Sequence, residues 1–113
     1  MSETAISLTI RRTLTAAGYH VERVNSGKVK ARGGWYQGAT AGTPDTIVVS
    51  PASAYGWLET KTDEGELNPA QRKWHADAAR RGVNVAVVRS AREALGAVKQ
   101  WQGTSIRIEG RRG

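Results

Sequence analysis

Apolar residues return at Ile6, Ile10, Leu14 and Ala17, three or four positions apart. That spacing is the stripe of a helix packed by one face. Gly18 ends the pattern, and "YHVERV" (Tyr19 to Val24) alternates as a strand does. Five of the twenty residues from Asn25 to Pro44 are glycine. They predict a short strand around Val29, followed by a loop or ragged hairpin. "DTIVVS" and "GWLETKT" predict two more strands, joined by the turn-rich "PASAY". "NPAQ" opens a helix: Asn68 can cap it, Pro69 suits its first position, and Gln71 can reach back as a capping box does. This helix runs to about Arg81 and stops at Gly82. "VNVAVV" is nearly all apolar, the composition of a strand covered on both faces. "SARE" repeats the capping box with Ser90 and Glu93, and leads a helix through Leu95, Val98 and Trp101. With the short Val29 strand set aside, the order is α-β-β-β-α-β-α, with no internal repeat. The tail "GTSIRIEGRRG" predicts an edge strand over Ser105–Glu109.

One strand contradicts the apolar pattern around it. Trp57 and Leu58 suit an interior sheet, yet Glu59 and Lys61 follow on one face, ~6–7 Å apart. Asp45 opens the preceding strand. If the two strands are antiparallel arms, Asp45 and Glu59 lie equally far along the chain from a reversal near Ala52 and so face each other. Adjacent carboxylates repel, and one is driven toward protonation unless a cation lies between them. Mg²⁺ accepts carboxylates, backbone oxygens, waters and phosphate oxygens. Lys61 can then reach a water or a phosphate oxygen. Asp, Glu and Lys so placed make a site for metal-assisted phosphodiester hydrolysis. The bland alternative is a surface Glu–Lys pair with Asp45 capping a turn. Pro44-Asp45 in front, the helix behind and the basic charge balance weigh against it.

A chain of 113 residues has the length of one domain and needs no staples. It lacks cysteine, which excludes disulfides, thiolate zinc sites and cysteine nucleophiles. His20 and His75 lack metal-ligand spacing, so packing or surface roles are expected of both. No apolar run approaches the ~18 residues of a membrane span, and the start carries no basic leader, so a soluble cytoplasmic protein is expected. Seventeen Lys and Arg against ten Asp and Glu give +7, with clusters in "IRRTL", "AARRG" and "EGRRG". A polyanion is the expected partner. Lys28, Lys30, Arg32, Arg72 and Lys73 are the candidate phosphate contacts. Trp35 and Tyr36 could stack on an unpaired base, although a core or interface role for Trp35 is the favoured reading. The glycines from Gly33 to Gly42 either cradle a phosphate backbone or form a plain loop. Glu3 shares the face of Ile6 and Ile10. It either complements the positive helix end, worth ~0.3–1 kcal/mol, or serves the metal site. Gln71 shares a face with Trp74 and Ala78. A capping role and a site role for it are expected to exclude each other in one rotamer.

"NSG" at Asn25–Gly27, "GTPD" at Gly42–Asp45, "LETK" at Leu58–Lys61, "LNPAQ" at Leu67–Gln71 and "GVNVAVVRSAREAL" from Gly82 form a set. Across residues 3 to 98 the chain resembles the VRR-NUC family of the PD-(D/E)xK nuclease superfamily. The resemblance implies an α/β fold with a restriction-endonuclease-like αβββαβ core, a central mixed sheet flanked by helices. It implies a single nuclease domain over 1–113, with its core at about 3–101 and a basic tail at 102–113. Asp45 and Glu59 would be metal-binding carboxylates, and the Thr60 backbone carbonyl a further ligand. Glu3 would join them directly or through water. Lys61 would orient the attacking water or stabilise charge on the phosphorane, with Gln71 contributing nearby. The implied cofactor is Mg²⁺ or Mn²⁺, with no nucleotide cofactor, and the products carry 5′-phosphate and 3′-hydroxyl ends. Stand-alone members resemble Holliday-junction resolvases. A homodimer cutting branched DNA is therefore expected, in the host cytoplasm if the gene is a phage's, with Trp101 or the tail at the dimer interface. The other reading is a nucleic-acid binder that keeps the nuclease fold without turnover.

Overall fold

Helix α1 (Glu3–Ala16) forms where the apolar stripe predicts it, with the Ser2 hydroxyl accepting from the Ala5 N–H at 3.1 Å. Ile6, Ile10 and Leu14 are buried, whereas Ala17 caps the helix and is exposed, ending the stripe one turn early. The structure, a computed structural model, describes residues 1–50 and 54–101, and the backbone alone for 28–31, 36 and 37. The expected edge strand at 105–109 and most of the "PASAY" turn lie outside the described residues.

Strand β1 (His20–Arg23) follows α1, then β2 (Lys28–Ala31) and β3 (Gly34–Gln37). β4 (Thr46–Val49), β5 (Tyr55–Thr60), α2 (Pro69–Arg80), β6 (Val85–Val88) and α3 (Ala91–Trp101) complete the order. A four-stranded mixed sheet runs β1-β4-β5-β6: the first two pairings are antiparallel, and β5 with β6 is parallel. Among the described residues β2 and β3 pair only with each other, as a regular hairpin where a short strand followed by a loop or ragged hairpin is expected. Gly33 and Gly34 make its reversal possible, at φ of 92° and 140°, where side-chain-bearing residues are strained. With that hairpin set aside, the remaining elements follow the predicted order.

Alternation along β5 sorts its residues by neighbour. Leu58 joins Val48 and Val88 in the core beneath Ile10 and Leu14 of α1 and Ala94, Val98 and Trp101 of α3. Trp57 packs edge-on against Trp74 of α2, ring centres 5.3 Å apart. In β6 only Val88 is buried and Val85–Val87 are half-covered, so the short α2 shields that face less fully than the composition suggests. Trp101, expected to contribute to a dimer interface, packs into the core of its own chain. Its ring fills the space above Gly56, where a Cβ would lie 2.5 Å from it, and it is buried. Among the described residues no helix is long and apolar enough to cross a membrane.

Candidate active site

The β4–β5 register sets Thr46 opposite Leu58, so the next pair outward is Asp45 opposite Glu59. Glu3, at the start of α1, reaches the same point. One carboxylate oxygen from each of Glu3, Asp45 and Glu59 lies within 4.8 Å of the others. The structure thus brings all three acids together, the nearest helix residue included.

Asp45 is held rigidly. Its Oδ2 accepts from the Thr60 N–H at 2.7 Å, and its Oδ1 from the hydroxyls of Thr46 at 2.7 Å and Thr60 at 3.2 Å. The carboxylate takes the place of a ladder carbonyl at the open end of the sheet. Continued past Thr46 and Leu58, the same register would set Pro44 opposite Thr60. A proline has no N–H to offer the Thr60 carbonyl, which is how "PD" frees that oxygen for another ligand.

Glu59 is only 3% exposed. Its Oε2 accepts from Gln71 Nε2 at 3.3 Å, while its Oε1 is buried with no hydrogen-bond partner. Burial first, and then the Asp45 charge, push its pKa up to about 8. Glu3 adds to the rise and Lys61 opposes it. An orphaned carboxylate oxygen beside two further acids is unfavourable by itself. A hard divalent cation removes both costs, and Mg²⁺ holds opposite ligand oxygens ~4 Å apart, comparable with this cluster. The donor set therefore fits such an ion.

Lys61 follows on the same strand face and is buried. Its charge reaches His75 of α2, whose pKa is lowered, first by burial and then by Lys61. His75 packs its ring against Trp74, and its Nε2 is buried without a partner. His20 is a surface residue, 3.1 Å from Glu22.

Gln71 corrects the expected either-or. Its Oε1 accepts from the Asn68 N–H at 2.9 Å while its Nε2 faces Glu59, because an amide has an acceptor end and a donor end. One rotamer serves cap and site together. The other box is shifted: the Ser90 hydroxyl accepts from the Glu93 N–H, but the Glu93 carboxylate takes the Arg89 N–H rather than that of Ser90.

Gly42 seats the "GTPD" loop on α2. It lies at φ 93°, and a Cβ there would fall 2.3 Å from the Ala70 carbonyl oxygen. Gly42→Ala is expected to cost at least ~1–2 kcal/mol through the left-handed backbone alone. At ~4–8 °C per kcal/mol, a melting experiment should show a drop of ~5–15 °C.

Sequence reasoning missed Arg89. Its Nη1 donates to the carbonyls of Thr62 at 2.5 Å and Gly65 at 2.8 Å, pinning the turn that follows Lys61. Only the parallel register, with Thr60 beside Val88, brings it there.

The candidate phosphate contacts are spread out. Arg72 donates to the Leu67 carbonyl at 2.6 Å and Lys73 pairs with Asp77 at 3.3 Å, both on the exposed side of α2. Arg32 is exposed at the hairpin reversal, and Lys28 and Lys30 lie on β2, with side chains outside the described residues, as is that of Tyr36. Trp35 is 63% exposed, which overturns a core role. The Asn25 backbone carbonyl closes the hairpin root, accepting from the Ala39 N–H at 2.9 Å.

The VRR-NUC domain model matches residues 25–92, which include Asp45, Glu59, Lys61, Gln71 and Arg89. A solved structure described as a VRR_NUC domain is similar with a TM-score of 0.64 at 22% identity, covering 88% of this chain and 96% of that one. Among curated proteins none matches the chain. The family match spans more than half of the sequence and the fold agrees with it: the chain belongs to the VRR-NUC family, and so carries a nuclease-type domain.

Proposed function

We propose that this protein is a divalent-metal-dependent endonuclease that hydrolyses phosphodiester bonds in DNA, with branched structures such as Holliday junctions as its substrate. The observation that carries the reading is the meeting of Glu3, Asp45 and Glu59 within 4.8 Å, with a partnerless buried oxygen on Glu59. Asp45, Glu59, the Thr60 carbonyl and Glu3 would hold Mg²⁺ or Mn²⁺. When bound, the cation supplies Lewis acidity toward the phosphate and lowers the pKa of water. Asp45 is fixed by three hydrogen bonds, so its geometry is set before substrate arrives. Gln71 orients Glu59 through its amide. Lys61, buried on the same strand, presents an ammonium to the attacking water or to the charge developing on the phosphorane. The Arg89 clamp holds the turn after it in place.

Residues 1–113 act as one nuclease domain in this reading, in the cytoplasm where the DNA lies. Symmetric cutting of a four-way junction needs two sites, so the active form is a homodimer. The basic balance of +7 supports a polyanionic substrate.

A panel of four-way junction, flap, splayed-arm, linear and single-stranded DNA, each with Mg²⁺, Mn²⁺ or EDTA, tests the proposal. Cleavage should need metal and favour the junction, and sedimentation should show a dimer. Lys61→Met keeps the apolar stem, and should lose at least ~10²-fold in rate, the scale of one electrostatic contact to a transition state. Binding without cutting in every metal would instead favour the non-catalytic binder.

A further inference from the structure

The β2–β3 hairpin is the one feature of the described chain that neither the sheet nor the acid cluster explains. It leaves and rejoins the sheet at the candidate active site. The Val24 N–H donates to the Asp45 carbonyl at 2.7 Å, and the returning chain passes through Gly42–Pro44 back to Asp45. Its root is closed by three backbone bonds: Gly27 to Ala39 at 2.8 Å, Gly38 to Gly27 at 2.7 Å, and Ala39 to Asn25 at 2.9 Å. The root is therefore fixed to the same end of the sheet as the carboxylates.

Its far end carries unusual chemistry. Trp35 is 63% exposed, while Trp101 is buried and Trp57 and Trp74 are half-covered. Arg32, at the reversal, is exposed as well. The register pairs Trp35 with Lys30, and Lys28 lies two residues before Lys30 on the same strand. A ribbon of two short strands is marginal by itself in water. An exposed indole on a ribbon whose sequence carries Lys28, Lys30 and Arg32 suits a ligand that is flat, apolar on its faces and negatively charged at its edge. A nucleotide base with its phosphate has those properties.

Resting on the nuclease reading above, we infer that the β2–β3 hairpin recognises an unpaired base of the DNA substrate, with Trp35 stacking on it and the basic residues of the ribbon holding its phosphates. In a continuous duplex each base face is covered by its neighbours, so an indole finds a free face only at a branch point, a frayed end or a single strand. The hairpin is thus what directs a small domain to branched DNA. Ala39 at the root lies four positions beyond Trp35, ~13 Å at ~3.3 Å per residue. The stacked base accordingly lies within a few nucleotides of the scissile phosphate.

Affinities of the wild-type chain, Trp35→Ala and Trp35→Phe for a four-way junction, a splayed arm and a blunt duplex test this, measured with EDTA so that nothing is cut. Trp35→Ala should weaken the first two ~10-fold or more, the scale of a lost base–aromatic stack. It should leave the blunt duplex within twofold, and Trp35→Phe should recover part of the loss. A 2-aminopurine at the branch should be quenched by the wild type and not by Trp35→Ala. Equal losses on all three DNAs, no loss on any, or unchanged quenching would overturn the inference. A wild type that cuts nothing in any metal would defeat the active-site reading instead. These affinities, read without turnover, would still decide the role of the hairpin.

Discussion

Asparagine at position 45 should cut DNA at least ~10²-fold more slowly than aspartate, with the melting temperature nearly unchanged, whereas alanine there should lose both activity and stability. The two outcomes separate because Asp45 has two tasks. As an anion it faces Glu3 and Glu59, where a cation would bind. As an acceptor it satisfies the buried Thr60 N–H at 2.7 Å and the Thr46 hydroxyl at 2.7 Å. Asp45→Asn keeps a carbonyl oxygen for the Thr60 N–H, loses the charge, and turns its NH2 toward the Thr46 and Thr60 hydroxyls, which can reverse to accept from it. Asp45→Ala leaves that donor orphaned inside the protein, at a cost of ~1–3 kcal/mol. At ~4–8 °C per kcal/mol, Asp45→Ala should melt ~4–24 °C lower. Thermal melts beside cleavage rates check the separation. An Asp45→Asn protein that still cuts within tenfold of the wild type would remove this residue from the chemistry.

What the sequence discloses follows the range of each interaction. The α1 stripe and the Asn68 cap are local patterns of a few residues, and both appear in the structure. Asp45 opposite Glu59 is non-local, yet an antiparallel pair with a short reversal can be counted out from its turn, so it too is legible. Contacts made by packing distant elements are not. Arg89 reaches the turn after Lys61 only because β6 lies parallel to β5 in one particular register. Glu3 joins the acids through the position of a whole helix, and the sequence offers only its place on the stripe. In the sequence Trp101 reads as the end of an apolar helix face, available to a dimer interface. The vacancy it fills is made by Gly56, forty-five positions earlier, and an absent side chain gives no pattern to read. The Gln71 error is of another kind. Its dual role needed no distant information, only attention to the two ends of an amide.

Removing the charge of Glu59 should stabilise the metal-free protein in mildly alkaline solution, although the same change should abolish cleavage. Burial and the neighbouring Asp45 raise this carboxyl from an ordinary 4.5 to about 8 in the folded chain. Between those values the folded protein holds a proton that the unfolded chain has released. Stability therefore falls as pH rises from about 4.5, and the loss is complete just above 8. Glu59→Gln carries no such proton and can still accept from Gln71, so its stability should vary less with pH. In EDTA the variant and the wild type should melt alike near pH 5. Near pH 8 the variant should lead by ~5 °C or more, what ~1 kcal/mol gives in a domain of this size. A divalent cation reverses the sign of the problem, because the carboxylate that costs stability when alone becomes a ligand. Metal added to the wild type at pH 7 should release close to one proton, seen by calorimetry as a dependence on the buffer's ionisation enthalpy. Glu59→Gln should release none. If the wild type instead melts at one temperature from pH 5 to 8, and takes up metal without releasing a proton, Glu59 is not the strained acid of a metal centre.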